Sequence, residues 1–410
     1  MTPTESSIES TDLIGLPTLM TLAFTGGDIA AVADQLLKRI KRDPKDATAQ
    51  MDMAVILIMR GDTKLALSMK ALALRSQQIY SYRRPALPIE LRALMILGPG
   101  DLMANSPFEF LLDGQPVALD LVYISSTLTL PAQLPEHDVL IVAIGESDIN
   151  QALLAELEQT LDDWPRPVIN RPARIAQLAR DSSCALLTDL PNVLMPPTLR
   201  VSRATLEECC RPPRLASTLV KQLNGVDYPI IIRPIDSHAG NGLNKIDDLV
   251  DLTNYLINSS LNEFFVAPFI DYRSADGLFR KYRVILIDGI PFLCHLAISQ
   301  RWMVHYLNAD MLENLDHRNE EARCMAEFSQ TFAQRHAAAL HAITQKLGLD
   351  YVGLDCAETP DGKLLIFEAD SNMVVHDMDA ADKFPYKKIQ MPKLFHAFAQ
   401  LLARRCEKNL

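Results

Sequence analysis

The sequence offers little cysteine chemistry. Its seven cysteines form no CxxC pair, and Cys209 and Cys210 are adjacent. An odd count without a spacing framework argues against a disulfide scaffold and fits a reducing cytoplasm. No apolar run reaches the length of a membrane span. The opening MTPTESSIES is polar and does not read as a signal peptide. Basic charge is also short: 51 acidic side chains outnumber 40 basic ones, for a net charge of −11. That balance argues against general binding to nucleic acid or membrane surfaces. Two glycine signatures are missing as well, GxGxxG and GxxxxGK[ST]. What remains is an ordinary globular composition, 48% hydrophobic and 22% charged, in 410 residues. That length suggests two or three domains.

The first 80 or so residues read as helical. Asp28–Lys41 and Asp46–Met59 carry apolar residues at helical spacing, Gly61-Asp62 breaks the chain, and Thr63–Leu74 follows. The segment from Asp46 to Leu74 resembles a single tetratricopeptide repeat. A peptide groove needs several stacked repeats, so packing or homodimer formation is the expected role. Residues 81–88, SYRRPALP, read as a linker. Strand-like runs follow at Leu91–Leu97, Val117–Ile124 and Asp138–Ile144, with a helix at Ile149–Leu161. This alternation predicts a parallel sheet. Gly98-Pro99-Gly100 ends the first run and reads as a tight strand-to-loop turn.

Two later stretches carry chemistry. In YPIIIRPIDSHAGNGL, Tyr228–Leu243, a β-branched strand delivers Arg233 to its end, and a loop with Gly240 and Gly242 follows. Glycines let backbone N–H groups approach an anion. Arg233 is suited to phosphate oxygens and His238 adds a donor. The buried-strand run Glu263–Ile270 comes next, then Lys281–Ile287 and Ile290–Ala297, joined by the hairpin signal Asp288-Gly289. Arg283 lies on the first of these strands; His295 and Arg301 follow along the second. Arg301 suits a carboxylate or phosphate clamp, with a solvated strand-end arginine as the other reading. Asn319–Leu347 reads as one long amphipathic helix.

The chain is organised around YVGLDCAETPDGKLLIFEADSNMVVHDMD, Tyr351–Asp379. Two apolar runs flank Thr359-Pro360-Asp361-Gly362, a type I turn signal, and read as a hairpin. A four-residue loop pairs Glu358 with Lys363 and sets Asp355 opposite Ile366. Glu368 then lies diagonally on the same face, at about 7–8 Å. Strand alternation adds Asp370. Three converging carboxylates call for a cation, and an all-oxygen set favours Mg²⁺ or Mn²⁺ over zinc. A three-residue loop would send Asp355 and Glu368 to opposite faces. A solvated acidic hairpin end is the other reading.

The order of these pieces resembles the ATP-grasp superfamily: strand and Gly loop, apolar hinge strand, Asp-Gly hairpin with an arginine, helix, acidic hairpin. The resemblance runs from about Val168 to the C-terminus. It implies an α/β protein with a helical segment over 1–83, a Rossmann-like pre-ATP-grasp domain over 88–198 and a two-lobed ATP-grasp domain over 199–410. It implies that Arg180 and Arg233 stand for the family's phosphate lysines, and that Val266, Ala267, Pro268 and Phe269 form the adenine hinge. Asp271 is the implied ribose acid. Asp355, Glu368 and either Asp370 or Asn372 are the implied metal ligands; Asp370 stands where the family has Asn. It further implies an ATP- and Mg²⁺-dependent ligase that turns a carboxylate, small-molecule or peptide, into an acyl phosphate and joins it to an amine. Arg283 would hold phosphate charge; Arg301 and His295 would orient the acid. A kinase-like phosphotransferase and a nucleotide-binding adaptor are the alternatives.

Overall fold

The computed structural model describes residues 12–82, 88–210, 228–235, 237, 240–306 and 309–407. The fold is mixed α/β with a helical N-terminal segment. The chain divides into two compact units. The first runs to Ala176 and takes back Leu349–Val352 and the segment from Ser371 onward. The second comprises Gln177–Gly348 and Gly353–Asp370.

The first unit opens with helices α1 (Leu16–Phe24), α2 (Ile29–Arg42), α3 (Ala47–Met59) and α4 (Thr63–Ser76). Aspartates precede three of them, and two cap with their side chains. Asp28 accepts the Ala31 N–H and Asp46 the Ala49 N–H, both at 2.9 Å, satisfying donors that a helix start leaves open. The sheet follows: β1 (Ile79–Ser81), β2 (Leu91–Leu97), β3 (Val117–Tyr123), β4 (Val139–Val142) and β5 (Val168–Ile169), with helices α5 (Glu109–Leu112) and α6 (Gln151–Thr160) between. Its order is β1-β3-β2-β4-β5, parallel except for β1. Every residue of β4 is buried, as a strand covered on both faces requires. The Gly98 turn is closed by Asn105, which accepts the Gly98 N–H at 2.7 Å and donates back to its carbonyl at 3.2 Å. The C-terminal helix Lys387–Glu407 returns to this unit, where Phe398 stacks on Phe108 with ring centroids 5.0 Å apart.

The second unit contains α7 (Arg180–Leu187), β6 (Val193–Leu194), β7 (Leu199–Ser202), β8 (Ile230–Pro234), β9 (Asn244–Ile246), α8 (Leu249–Asn258), β10 (Glu263–Pro268), β11 (Phe279–Ile287), β12 (Ile290–Ser299), α9 (Leu315–Glu327), α10 (Ala337–Leu347), β14 (Leu364–Asp370) and, from Gly353 onward, β13 (Tyr351–Glu358). One sheet has the order β7-β10-β8-β9 and the other β12-β11-β13-β14-β6. The Asp288-Gly289 hairpin forms as expected. Both residues take positive φ, 50° and 78°, as a type I′ turn demands.

Two expectations need correction. Asn319–Leu347 is not one helix. It breaks between α9 and α10, where Thr331 leaves helical geometry at φ −118° and ψ −91°. The break lets Phe328, Phe332 and His336 turn inward. Phe332 stacks near Phe328 and packs on Tyr282 at 4.4 Å, and His336 bonds Glu358 at 2.9 Å. The acidic hairpin also differs. Its loop has five residues, with Glu358 opposite Leu364 and Thr359 N bonded to the Lys363 carbonyl at 3.0 Å.

Asn170 braces the first unit. It is fully buried at φ 58°. Its side chain donates to the Tyr351 carbonyl at 2.8 Å and accepts the Tyr351 N–H at 3.0 Å, while its own N–H meets Asp350 at 2.9 Å. Alanine there would strand both Tyr351 groups and keep a left-handed backbone that asparagine tolerates better. We expect Asn170→Ala to cost roughly 2–4 kcal/mol in urea titrations. A loss within error of zero would show that the Tyr351 backbone finds other partners.

Candidate active site

The five-residue loop shifts the hairpin by one, which alone would put Asp355 and Glu368 on opposite faces. A β-bulge restores them. Cys356 pairs with Ile366 but Asp355 pairs with Glu368, so Phe367 is the extra residue. Bulges re-aim side chains in this way beside active sites. The two carboxylates are therefore direct cross-strand neighbours.

Asp355 is 2% exposed. Arg283 grips it in a fork, Nε to Oδ1 at 2.9 Å and Nη2 to Oδ2 at 3.1 Å, and Lys281 Nζ lies 2.6 Å from Oδ2. Lys281 and Arg283 share a face of β11 because they are two residues apart. A bulge follows Arg283 at once. Burial alone would raise the Asp355 pKa, but Arg283 and Lys281 more than offset it and hold the carboxyl well below the usual range. Arg283 is raised in turn: burial opposes its charge and Asp355 outweighs burial.

Glu368 has its own cation. Arg180 Nη2 donates to Glu368 Oε1, and Nη1 donates to the Phe367 carbonyl at 3.2 Å. Arg180 is the first residue of α7, where a cation is disfavoured by the helix dipole, so the carboxylate supplies its balance. Against burial, Arg180 and then Arg233 keep the Glu368 carboxyl below its ordinary pKa. Arg233, at the end of β8, donates to Ser237 Oγ at 3.2 Å and to the Ser237 carbonyl. Burial first, then the Arg180 charge, pulls its pKa down to about 10.

These groups stand at a cleft with apolar walls. Arg180, Arg233, Lys281 and Glu368 line it together with Ala267, Pro268, Phe269, Trp302 and Ile366. Phe269 meets Trp302 edge-on at 5.9 Å and 83°. The cleft thus joins a flat apolar slot to a cluster of cations.

Not every expected residue is there. Val266 is fully buried and packs into the core beneath β10, because alternation turns it from Ala267. Asp271 pairs with Arg273 at 2.5 Å in an exposed turn and does not line the cleft. Gly240 and Gly242 form a turn with φ 76° and 67°, closed by Leu243 N to the Gly240 carbonyl at 3.1 Å. A Cβ on Gly242 would lie 2.7 Å from Pro234 Cγ, so glycine is required there. His238 lies outside the described residues. His295 sits opposite Arg283 and packs on Tyr306 at 4.5 Å. Arg301 is exposed beyond β12 and does not line the cleft. Asp370 ends β14 opposite Gly353. Asn372 belongs to the first unit, where it accepts from Ser106 Oγ at 2.8 Å and donates to the Met103 carbonyl at 3.2 Å. Among the described residues no three His, Cys, Asp or Glu side chains converge as a metal cluster.

Lys281 is the residue that sequence reading missed, although its place two before Arg283 made it findable. His305 is another. Burial, Lys281 and Arg283 lower its pKa, against Asp355.

The element order is the one the ATP-grasp resemblance implies. No protein-family model matches the sequence, and no curated protein does. Solved structures that the chain matches include a RimK domain ATP-grasp protein from Sphaerobacter thermophilus, at 13% identity over 76% of this chain and 99% of that one, TM-score 0.42. Another is the D-alanine-D-alanine ligase from Coxiella burnetii, at 11% identity over 78% and 97%, TM-score 0.47. A third is the VanG D-Ala:D-Ser ligase from Enterococcus faecalis, at 12% identity over 76% and 99%, TM-score 0.45. At this identity and overlap the likeness says nothing of site residues or substrate.

Removing one partner of a buried ion pair strands the other charge. Asp355→Asn should therefore destabilise the protein by about 3–5 kcal/mol at pH 7. Lys281→Met should cost less, because the Arg283 fork survives. The Asp355 contribution is present above the unfolded carboxylate pKa and is lost only as pH falls through the depressed folded value. The gap between wild type and Asp355→Asn should therefore persist through mildly acid pH and close only under strongly acid conditions. Urea titrations across pH check both; equal losses in the two variants would refute the division of roles.

Proposed function

We propose that the second unit binds ATP and that the protein is an ATP-dependent ligase of the ATP-grasp type. The supporting observation is the cleft: an apolar slot at Ala267, Phe269 and Trp302 that opens onto Arg180, Arg233 and Lys281. The slot suits a purine ring and the cations suit a triphosphate. Phosphoryl transfer is mainly positioning and charge neutralisation, so clustered cations are the chemistry it requires.

Mg²⁺ takes one or two carboxylates plus phosphate and water oxygens, and two ionised carboxylates side by side fit that set. Glu368 is the better ligand. It accepts one bond from Arg180, whereas both Asp355 oxygens are committed to Arg283 and Lys281. A bound Mg²⁺ would supply charge neutralisation at the phosphates. The chain's own part is to fix Lys281 and Arg283 through Asp355, and Arg180 through Glu368.

In the reading we favour, a substrate carboxylate oxygen attacks the γ-phosphorus. The new O–P bond forms as the bond to ADP breaks. An amine nitrogen then attacks the acyl carbon, the C–N bond forms, phosphate leaves and the amine proton passes to solvent or phosphate. The carboxylate and amine substrates are small molecules or peptides.

Incubation with Mg-ATP and pools of amino acids and short peptides should release phosphate and yield a ligated product. A phosphorylated product without ligation would select a kinase instead. Glu368→Ala should abolish turnover. Arg233→Ala should weaken ATP binding roughly ten- to hundredfold, the worth of one charged hydrogen bond, and Arg233→Lys should recover much of it. Unchanged ATP affinity in the alanine variant would place Arg233 outside the site.

A further inference from the structure

The first unit contains a partly open cavity that the nucleotide reading does not use. Its lining includes Asp52 on α3, Lys70 on α4, Glu109 on α5 and Tyr123 at the end of β3. It lies at the carboxyl ends of β2 and β3, where Leu97 and Tyr123 reach it. Open parallel sheets bind ligands at that end of their strands.

The polar groups of the cavity are unequally satisfied. Asp52 accepts the Ile14 N–H at 2.9 Å and the Gly15 N–H at 3.0 Å, one on each oxygen. Lys70 Nζ donates to the Gly100 carbonyl at 2.9 Å and sits 4.8 Å over the Tyr123 ring. It has further donors to give, since an ammonium carries three. Glu109 is 7% exposed, and its Oε2 is buried without a hydrogen-bond partner among the described residues. A carboxylate oxygen so placed is costly unless a donor reaches it.

We propose that this cavity binds a compact zwitterion, with its ammonium on Glu109 and its carboxylate on Lys70. Glu109, with an unused acceptor, and Lys70, with unused donors, line one space whose walls are largely apolar. A free α-amino acid with a small side chain is the smallest molecule that complements both. Asp101 also lines the cavity and balances part of the Lys70 charge; a simple cation would still meet the Lys70 ammonium, and a simple anion would meet Asp101 and leave Glu109 unmatched. Leu16, Val55 and Ile58 supply the apolar wall for the ligand's carbon atoms. All the residues named belong to the first unit, so the inference stands apart from the ATP reading.

The test uses the full chain without nucleotide. Glycine, alanine, methylammonium and acetate are titrated by calorimetry, with thermal unfolding in parallel. Glycine or alanine should bind saturably and raise Tm; methylammonium and acetate should not. Glu109→Gln and Lys70→Met should each weaken binding at least about tenfold, the scale of one charged hydrogen bond. Val55→Phe keeps every charge and fills the wall, so it should block binding as well. Saturation by methylammonium alone would mean a cation site and overturn the zwitterion. No saturable binding by any probe, with Glu109→Gln more stable than wild type, would mean that the cavity holds only water.

Discussion

The second unit depends on a buried carboxylate that cannot stand alone. Asp355 sits on a strand whose neighbours Leu354, Cys356 and Ala357 are fully buried. A charge there is tolerable only with opposite charge at hydrogen-bonding distance. Arg283 and Lys281 provide it from β11, and each is itself too buried to be left unmatched. The same exchange recurs across the hairpin, where Glu368 balances Arg180. Neither carboxylate can be removed without stranding a buried cation. The apolar sheet therefore does more than support the cluster, because it enforces the pairing.

Much of this was legible in the residues. Asp-Gly between apolar runs, Pro-Asp-Gly in the acidic hairpin and the unbroken apolar run of β10 have local causes and formed where the pattern placed them. The placement of Arg233 and Arg180 at one cleft followed from the family resemblance rather than from spacing. Other features depend on tertiary contacts. Nothing in Phe367-Glu368 announces a bulge, yet the bulge decides which face Glu368 occupies. The break at Thr331 contains neither Gly nor Pro and exists because three ring-bearing side chains turn inward there. Asn372 looked like the completion of an acidic motif, but the strand ends at Asp370, and two residues further the chain belongs to the other unit.

The first unit shows the same economy with polar groups. Asn105 closes the turn after β2, and Asn170 ties its loop to Tyr351. Each amide side chain serves a donor and an acceptor at once, which suits places where the backbone leaves both unmet. Gly145 shows how tightly such groups are set: a Cβ there would fall 1.5 Å from Asn372 Nδ2.

The cation cluster has a consequence for encounter. The chain as a whole is acidic, with a net charge of −11, and repels polyanions at long range. Within the cleft Arg180, Arg233 and Lys281 outnumber Glu368, and apolar walls confine their field. A polyanion must therefore cross a repulsive outer potential before it enters an attractive inner one. Salt screens the outer potential over roughly a Debye length, about 8 Å at physiological ionic strength, and reaches buried charges much less. Adding salt at moderate concentration thus lowers the approach barrier more than it weakens the grip. That is the reverse of the salt dependence of a protein steered by a basic surface.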